Sequence, residues 1–314
     1  EKESRGARRL AVKLFEESAE QERFVNALAV PREFAPAIIW LKDRPNPTPF
    51  AAEARLDWQP PYVDRLVCGQ KPGIHPLHQA GAYYCLECSS VFAASVFGGL
   101  KIRPQVVIDL CSSPGGKAIF AARSLSPKLL VCNEVIKKRT AQLIANLERC
   151  AIGQAVVTSC DPAVLSAALP QSAGLVIVDA PCSGQSLIAR KKRAAGCFHP
   201  VIINKNARRQ RRIIACAAAM TAPGGCLAYM TCTFAAQENE EIAAWLVEHF
   251  AHFKTLEVPA LAAFQSRLAP FPCYRFWPQD GYGAGAFAAL FQNHETGDSR
   301  PADLSPLRIL WPKI

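Results

Sequence analysis

The sequence predicts an α/β protein in which a doubly wound, mainly parallel sheet follows a small α+β region. From residue 105 to residue 231, apolar segments of strand length alternate with helical segments. This alternation indicates parallel strands, because each helix carries the chain back to begin the next strand in the same direction. The strands are apolar at almost every position, which is typical of strands buried between two layers of helices.

The composition limits the classes of protein to consider. The chain has 314 residues, with 36 lysines and arginines against 26 aspartates and glutamates, which gives a net charge of +10. This excess favours a polyanionic partner, nucleic acid first. Hydrophobic residues make up 50% of the chain, enough for a large core. No apolar run approaches the ~18 residues that a membrane span needs, so we expect no membrane contact.

Cysteine usage and the N-terminal residues predict a cytoplasmic protein. The thirteen cysteines are odd in number and scattered along the chain. This pattern fits a reducing cytosol better than a disulfide framework. The first residues are charged and precede no apolar stretch with a cleavage site, so we expect no secretory signal. The first residue is not methionine, which is consistent with a trimmed chain.

Residues 1–74 predict a small α+β domain, and residues 75–314 a larger one. Apolar residues spaced among charges predict one or two helices over 7–28, and the apolar segment 37–41 predicts a strand. Five prolines follow, which favour loops. The linker lies near Lys71-Pro72-Gly73, and no catalytic chemistry is legible before it.

One cluster of metal-ligand types falls just after this linker. His75, His78, Cys85 and Cys88 are the residue types of a structural zinc site. Only six residues separate the two pairs, and 82–96 resembles a helix whose thiols face the core. Short spacings of this kind give many false positives, so we expect no metal.

The strand–helix alternation then runs in a regular order. A strand is predicted at each of five segments, 105–110, 129–133, 155–159, 173–178 and 225–230. Helices are predicted between them, through residue 123, over 137–150 and over 204–220. In an open sheet of this kind, ligands bind at the carboxyl ends of the strands.

The loop after the first of these strands is rich in glycine. It lacks the G-x-G-x-x-G pattern of dinucleotide sites, and Cys111 and Ala118 stand where a P-loop needs glycine and serine or threonine. Phosphate binding is therefore not expected. Gly115 and Gly116 nevertheless allow a ligand to approach the backbone closely.

Acidic residues recur at or just past the following strand ends. They are Glu134, Asp161 and Asp179, and Glu134 lies 18 residues beyond Gly116. An acid about 20 residues past a glycine loop suits the hydroxyls of a ribose. A nucleoside without phosphates, such as S-adenosylmethionine, fits this set. Helix capping explains any one of the acids alone, but explains all three poorly.

Two thiols also follow strands. The first lies in Asp179-Ala180-Pro181-Cys182-Ser183-Gly184, and the second in Thr231-Cys232-Thr233. A carboxylate and a thiol at a strand end can hold a substrate and attack it. The alternative is that both cysteines are buried without a chemical role, as cysteines often are. Two thiols at two strand ends favour a catalytic interpretation.

These motifs together resemble the Sun/NOP family of RNA cytosine-5 methyltransferases, over roughly residues 75–295. The resemblance rests on segments 78–81, 87–90, 109–117, 179–184, 229–233, 238–240 and 277–287. The two cysteine motifs in this order are its most specific part. This chain differs from the family pattern at three places. It has Ser112-Ser113 where the family usually has Ala-Ala, and Met230 and Thr233 where the family usually has serine. It also has an insertion at 282–285.

The resemblance implies a Rossmann-like class I methyltransferase fold, S-adenosylmethionine as cofactor and covalent catalysis. It implies that Cys232 attacks carbon 6 of cytosine, that Cys182 assists release, and that Asp179 holds the base. Lys117 lies near this centre and can help to lower a thiol pKa. The implied cofactor contacts, with no metal, are Cys111, Ser112, Ser113, Pro114, Gly115, Gly116, Lys117, Glu134, Asp161 and Asp179.

Eight cations close to the second motif suit contacts with RNA phosphates. They are Arg190, Lys191, Lys192, Arg193, Arg208, Arg209, Arg211 and Arg212. For the last four, a solvated helix face explains the pattern equally well. From the family, we expect ribosomal RNA first and transfer RNA second, a cytoplasmic monomer, and RNA contact by residues 1–74 as a further possibility.

Three other functions stay open from the sequence. A DNA cytosine-5 methyltransferase uses related chemistry, but its nucleophile occupies the position of Cys182 and leaves Cys232 unexplained. A methyltransferase for a non-RNA substrate also leaves Cys232 idle. A non-catalytic RNA-binding or ribosome-assembly protein accounts for the charge, but not for two intact cysteine motifs.

Overall fold

The computed structural model describes residues 2–30 and 32–312, with side chains from residue 5 onward. The two predicted domains also include residues 1, 31, 313 and 314, which lie outside this described part. No helix among the described residues is long and apolar enough to cross a membrane.

Within the described residues, the N-terminal region contains three α-helices, the last of them one turn long, and a three-stranded antiparallel sheet. Its elements are α1 (Lys2–Leu14), α2 (Ser18–Ala29), β1 (Pro36–Trp40), β2 (Val63–Arg65), α3 (Pro76–Gln79) and β3 (Tyr83–Glu87). The strand order is β2-β1-β3. The prediction of one or two helices followed by a strand is thus confirmed. The third strand lies beyond residue 74, so the small sheet crosses the predicted domain boundary, and the division into two domains stays a prediction.

The prediction of a helix over 82–96 is wrong in its first part. Residues 83–87 form β3, which pairs with β1, and helix α4 spans Cys88–Ala94. Glu87 ends the strand and caps the helix, since its carboxylate accepts a hydrogen bond from the backbone N–H of Ser89 at 3.0 Å. The segment is apolar enough for a buried helix, but its partner strand lies some 45 residues earlier, beyond the reach of local pattern.

The main sheet has five parallel strands at its centre, as the sequence predicts. They are β4 (Val106–Asp109), β5 (Leu129–Asn133), β6 (Ala155–Thr158), β7 (Ala173–Asp179) and β8 (Thr221–Thr231). The crossover and flanking helices are α5 (Gly116–Leu125), α6 (Lys137–Arg149), α7 (Pro162–Ala168), α8 (Pro200–Met220) and α9 (Glu240–His249). Successive residues of one strand face opposite layers: Val107 packs in one core cluster and Ile108 in the other.

Four antiparallel strands complete this sheet within the described residues. They are β9 (Phe253–Thr255), β10 (Tyr274–Phe276), β11 (Ala286–Asn293) and β12 (Ile309–Trp311). The order is β10-β11-β8-β7-β4-β5-β6-β12, with β9 also paired to β11. The chain runs from β4 outward to β6 and then returns to the other side of β4 at β7. The carboxyl ends of β4 and β7 therefore form the topological switch point, where such sheets bind ligands.

The N-terminal helices pack against the segment that follows Cys232. The ring of Phe24 lies 5.0 Å from that of Phe234, edge to face, and Phe15 lies 4.8 Å from Trp277. All these residues belong to one hydrophobic cluster or pack against it. This cluster fixes α1 and α2 beside the carboxyl edge of the main sheet.

Candidate active site

The glycine loop follows β4 and is anchored on a buried carboxylate. Asp109 is fully buried, and it accepts hydrogen bonds from the backbone N–H of Cys111 at 3.3 Å and from the hydroxyl of Ser112 at 2.9 Å. Burial raises the pKa of Asp109 to about 7, and the nearby charge of Asp179 acts in the same direction. Gly115 has a φ of 110°, a conformation that favours glycine, and it precedes α5.

An arginine joins this loop to the acid at the end of β5. Arg139 of α6 donates to the carbonyl oxygen of Ser113 at 2.7 Å and forms an ion pair with Glu134 at 3.1 Å. Glu134 is buried, and its other oxygen accepts from the backbone N–H of Ile136 at 2.8 Å. The structure therefore brings Glu134 and the glycine loop together, as the sequence predicts.

The acid after β6 has two partners of its own. Asp161 caps α7 by accepting from the backbone N–H of Ala163 at 2.9 Å, and this bond is the main cause of its lowered pKa. Its second oxygen pairs with Arg212 of α8. A predicted cofactor-binding acid and a predicted RNA-binding arginine thus contact each other.

A buried lysine reaches the acid at the end of β7. The ammonium group of Lys117, on α5, lies 3.0 Å from Asp179. The side chain of Lys117 is 7% exposed and that of Asp179 is 37% exposed. The carboxylate of Asp179 is therefore accessible to a bound molecule, and the ion pair with the buried Lys117 fixes the position of this carboxylate.

The two predicted thiols contact each other, with their sulfur atoms 3.3 Å apart. The pKa of the Cys232 thiol is lowered, chiefly because Cys182 donates a hydrogen bond to its thiolate, and the charge of Lys117 contributes. The pKa of Cys182 is raised well above its usual value, because ionisation would lose that hydrogen bond and because the thiol is partly buried. The pair therefore favours a Cys232 thiolate beside a Cys182 thiol.

A second contact locks the two cysteine loops together. The hydroxyls of Ser183 and Thr233, each next to one of the thiols, lie 2.7 Å apart. Glu238, which is fully buried, accepts from the backbone N–H of Ser183 at 2.9 Å and from its hydroxyl at 2.5 Å. Gln210 of α8 donates to Glu238 at 3.0 Å and to the carbonyl oxygen of Pro181, also at 3.0 Å. These bonds fix the distance between the thiols.

The predicted RNA-binding cations fall into two groups. Residues 190–193 are all exposed and lie at the end of the short 3-10 helix Gln185–Arg190, which follows the Cys182 loop. On α8, Arg208 and Arg209 are exposed, and the charge of Arg209 acts on Glu238 and Cys111, so it faces the thiol loops. Arg211 is half-buried, with no hydrogen-bond partner for its Nε among the described residues.

Four residues that organise this site were not singled out from the sequence as functional. They are Asp109, Arg139, Gln210 and Glu238. Asp109 and Glu238 stand inside the quoted motifs, so the motifs contained a signal for them. Arg139 and Gln210 lie in ordinary polar positions of helices, and only the packing of those helices reveals their contacts.

The glycine loop, strand-end acids and paired thiols at the carboxyl edge of the main sheet place this protein in the Rossmann-like methyltransferase class. Two solved proteins from Pyrococcus horikoshii share the fold. A methyltransferase homolog protein matches with a TM-score of 0.72 at 20% identity, covering 90% of this chain and 93% of that one. NSun6, solved with SFG, matches with a TM-score of 0.72 at 18% identity, covering 92% and 98%.

The family follows from the sequence match. The model of the family described as 16S rRNA methyltransferase RsmB/F matches residues 101–292, which is more than half of the chain. The protein therefore belongs to this family.

Curated relatives align over the same region. The ribosomal RNA small subunit methyltransferase F of Salmonella heidelberg is 35% identical over 175 residues, covering 55% of this chain and 36% of that protein. The protein of the same name from Pectobacterium atrosepticum is 33% identical over 174 residues, with the same coverage. The aligned part of this chain thus spans about a third of the length of these relatives.

Proposed function

We propose that this protein transfers a methyl group from S-adenosylmethionine to carbon 5 of a cytosine in RNA, through a covalent adduct with Cys232. The observation that carries the proposal is the contact of Cys182 and Cys232 beside the Lys117–Asp179 pair. The family described as 16S rRNA methyltransferase, and relatives named for the small ribosomal subunit, support ribosomal RNA as the first substrate. Transfer RNA is the second.

Carbon 5 of cytosine is too poor a nucleophile to take the methyl group unaided, so the protein must activate the ring with a nucleophile of its own. Addition of the Cys232 thiolate to carbon 6 converts the ring into an enamine, whose carbon 5 can accept a methyl group. The lowered pKa of Cys232 supports this role, since the thiolate is the attacking form. Lys117 stabilises the thiolate by its charge.

Asp179 and Cys182 act on the base before and after the attack. The partly exposed carboxylate of Asp179 would hold the cytosine edge near N3 and help to protonate it, while Lys117 orients this carboxylate. Cys182 stays protonated beside the nucleophile, and we assign it to the release step, in which carbon 5 loses its proton and the carbon–sulfur bond breaks. Its contact with the Cys232 sulfur supports this assignment.

The carboxyl edge of the sheet fits S-adenosylmethionine. When bound, this cofactor supplies an electrophilic methyl group on a sulfonium centre. Each oxygen of buried Glu134 has one donor and can accept another, as the hydroxyls of a ribose require. We assign the cofactor contacts to residues 111–117, Glu134, Asp161 and Asp179.

RNA would lie across the exposed cations beside the thiols. Residues 190–193 lie one short helix beyond the Cys182 loop. On α1, Arg5, Arg8 and Arg9 are exposed, and Gly6 packs against Phe198, a few residues beyond that segment. The N-terminal region, which we propose as a separate domain over 1–74, would therefore extend the same basic surface. The target cytosine must be unpaired or flipped out of its stack to reach Cys232. We propose a monomer in a reducing cytoplasm, where cysteines are kept from forming disulfides.

Trapping the adduct tests the proposal. The protein is incubated with small-subunit ribosomal RNA and S-adenosylmethionine, then separated by denaturing electrophoresis. Cys182→Ala should attack and transfer the methyl group, then stall as a protein–RNA adduct. Cys232→Ala should give neither product nor adduct. Cys68→Ala, which removes an exposed thiol of the N-terminal region, is the control and should match the parent protein.

Other outcomes would contradict the proposal in different ways. An adduct that accumulates in Cys232→Ala instead would exchange the roles of the two thiols. Absence of product and adduct in every variant and in the parent would favour a non-catalytic RNA-binding or ribosome-assembly protein. Product from a small-molecule or protein substrate alone would favour a methyltransferase of another class.

A further inference from the structure

The thiol pair is placed so that its two sulfur atoms can react with each other. They lie 3.3 Å apart, and both cysteines are partly exposed. A disulfide requires a sulfur–sulfur distance of about 2.05 Å, so the two atoms need to approach by little more than 1 Å. The Ser183–Thr233 hydrogen bond already holds the two loops in register at the neighbouring positions.

Most of the other thiols are far less reactive. Burial raises the pKa of nine of them, at Cys85, Cys88, Cys111, Cys132, Cys150, Cys160, Cys216, Cys226 and Cys273. These thiols stay protonated and react slowly, because the thiolate is the form that an oxidant attacks. Cys232, by contrast, has a lowered pKa, and Cys182 is the resolving thiol next to it.

We propose that Cys182 and Cys232 form a redox modification site, in which a hydroperoxide such as hydrogen peroxide converts the pair reversibly into a disulfide. The Cys232 thiolate attacks one peroxide oxygen and becomes a sulfenic acid, and the oxygen–oxygen bond breaks with release of hydroxide. The Cys182 thiol then attacks the Cys232 sulfur, the sulfur–oxygen bond breaks, and water leaves. The two thiols supply both electrons that reduce the peroxide.

The modification would switch the enzyme off while protecting it. The disulfide removes the nucleophile and the releasing group in one step, a consequence that rests on the proposed function. It also keeps Cys232 from further oxidation to sulfinic acid, which ordinary thiols do not reverse. Two equivalents of an external thiol restore the pair by exchange.

Mass spectrometry tests the site without reference to activity. The full protein carrying Cys68→Ser, which removes the exposed thiol and its intermolecular products, is treated with one equivalent of hydrogen peroxide and then alkylated. We expect a Cys182–Cys232 linked peptide, a loss of two hydrogens, and recovery of both thiols with dithiothreitol. Trypsin leaves Cys150 and Cys160 in the peptide of Cys182, and Cys216 and Cys226 in that of Cys232, so fragment ions must assign the link.

Two further variants make the test specific. Cys182→Ser should oxidise at Cys232 to a sulfenic acid that a dimedone probe traps, and should proceed to sulfinic acid because no thiol resolves it. Cys216→Ala should form the link at the parent rate. Oxidation of the parent to sulfinic acid without the link, or a predominant link between other cysteines, would overturn the proposal.

The activity readout separates this proposal from the proposed function. Methyl transfer to RNA should fall in proportion to the linked fraction and return with dithiothreitol. A link that forms in a protein with no methyltransferase activity would leave the redox site standing and refute the enzyme. Full activity in the linked protein would refute both the switch and the role of Cys232.

Discussion

Replacing the buried acid beneath the glycine loop should change how stability depends on pH. An unfolded aspartate titrates near pH ~3.9, whereas burial raises the pKa of Asp109 to about 7. Between these values the folded protein binds a proton that the unfolded chain does not. This bound proton therefore stabilises the folded protein at low pH, and the stabilisation is lost as the pH rises. The loss is about 1.4 kcal/mol per pH unit, and about 4 kcal/mol between the two pKa values.

Asp109→Asn should abolish this loss. The asparagine oxygen can accept from the N–H of Cys111, and its amide can donate to the hydroxyl of Ser112, so both contacts can persist. The unfolding free energy of the variant minus that of the parent protein should therefore increase by about 3 kcal/mol as the pH is raised from about 5 to about 8.

Urea unfolding followed by tryptophan fluorescence at the two pH values measures this gain as a difference between the two proteins. Groups that titrate in both proteins, such as the histidines, cancel in that difference. Asp298→Asn makes the same change in charge at an exposed site and should show no such gain. If Asp109→Asn and the parent keep a constant difference across pH, the inference that Asp109 titrates near neutral pH is wrong.

Two further predictions concern the cofactor and the RNA. Calorimetry should show that Glu134→Ala and Asp161→Ala each weaken S-adenosylmethionine binding. The expected loss is roughly tenfold or more, because each substitution removes a hydrogen bond to a charged group. Unchanged affinity in both variants would refute the cofactor assignment. Replacing residues 190–193 with alanine should flatten the plot of log affinity for RNA against log salt, by about 0.7 to 0.9 for each phosphate that the variant no longer neutralises. An unchanged slope would mean that residues 190–193 are solvated and do not contact RNA.

The strand and helix order of the main sheet could be predicted because each element shows its burial locally. Residues 129–133 form a strand with the predicted bounds, and the predicted helix over 137–150 is α6, which ends one residue earlier. The small sheet could not be predicted in the same way. The apolar character of residues 83–87 predicts a helix, but these residues form the third strand. Their extended conformation depends on pairing with β1, which the local sequence does not show.

The residues of the site also differ in whether the sequence predicts them. Motifs at strand ends place the acids and thiols, because parallel strands bring their carboxyl ends to one edge. The side chains that hold these groups come from helices. Gln210 and Arg139 reach the site across turns of α8 and α6, and their contacts depend on how those helices are packed. A sequence pattern of polar residues on a helix does not distinguish such a position from a solvated one.

The pairing of Arg212 with Asp161 limits what the basic helix can report about RNA. The sequence assigns these residues to different ligands, yet they form one ion pair between α8 and the start of α7. Removing Arg212 would take away a phosphate contact and also free an oxygen of a cofactor-binding acid. A change in RNA affinity in such a variant would therefore mix two effects. Residues 190–193 are exposed and lie away from the acids' hydrogen bonds, so their substitution isolates the effect of the phosphate contacts.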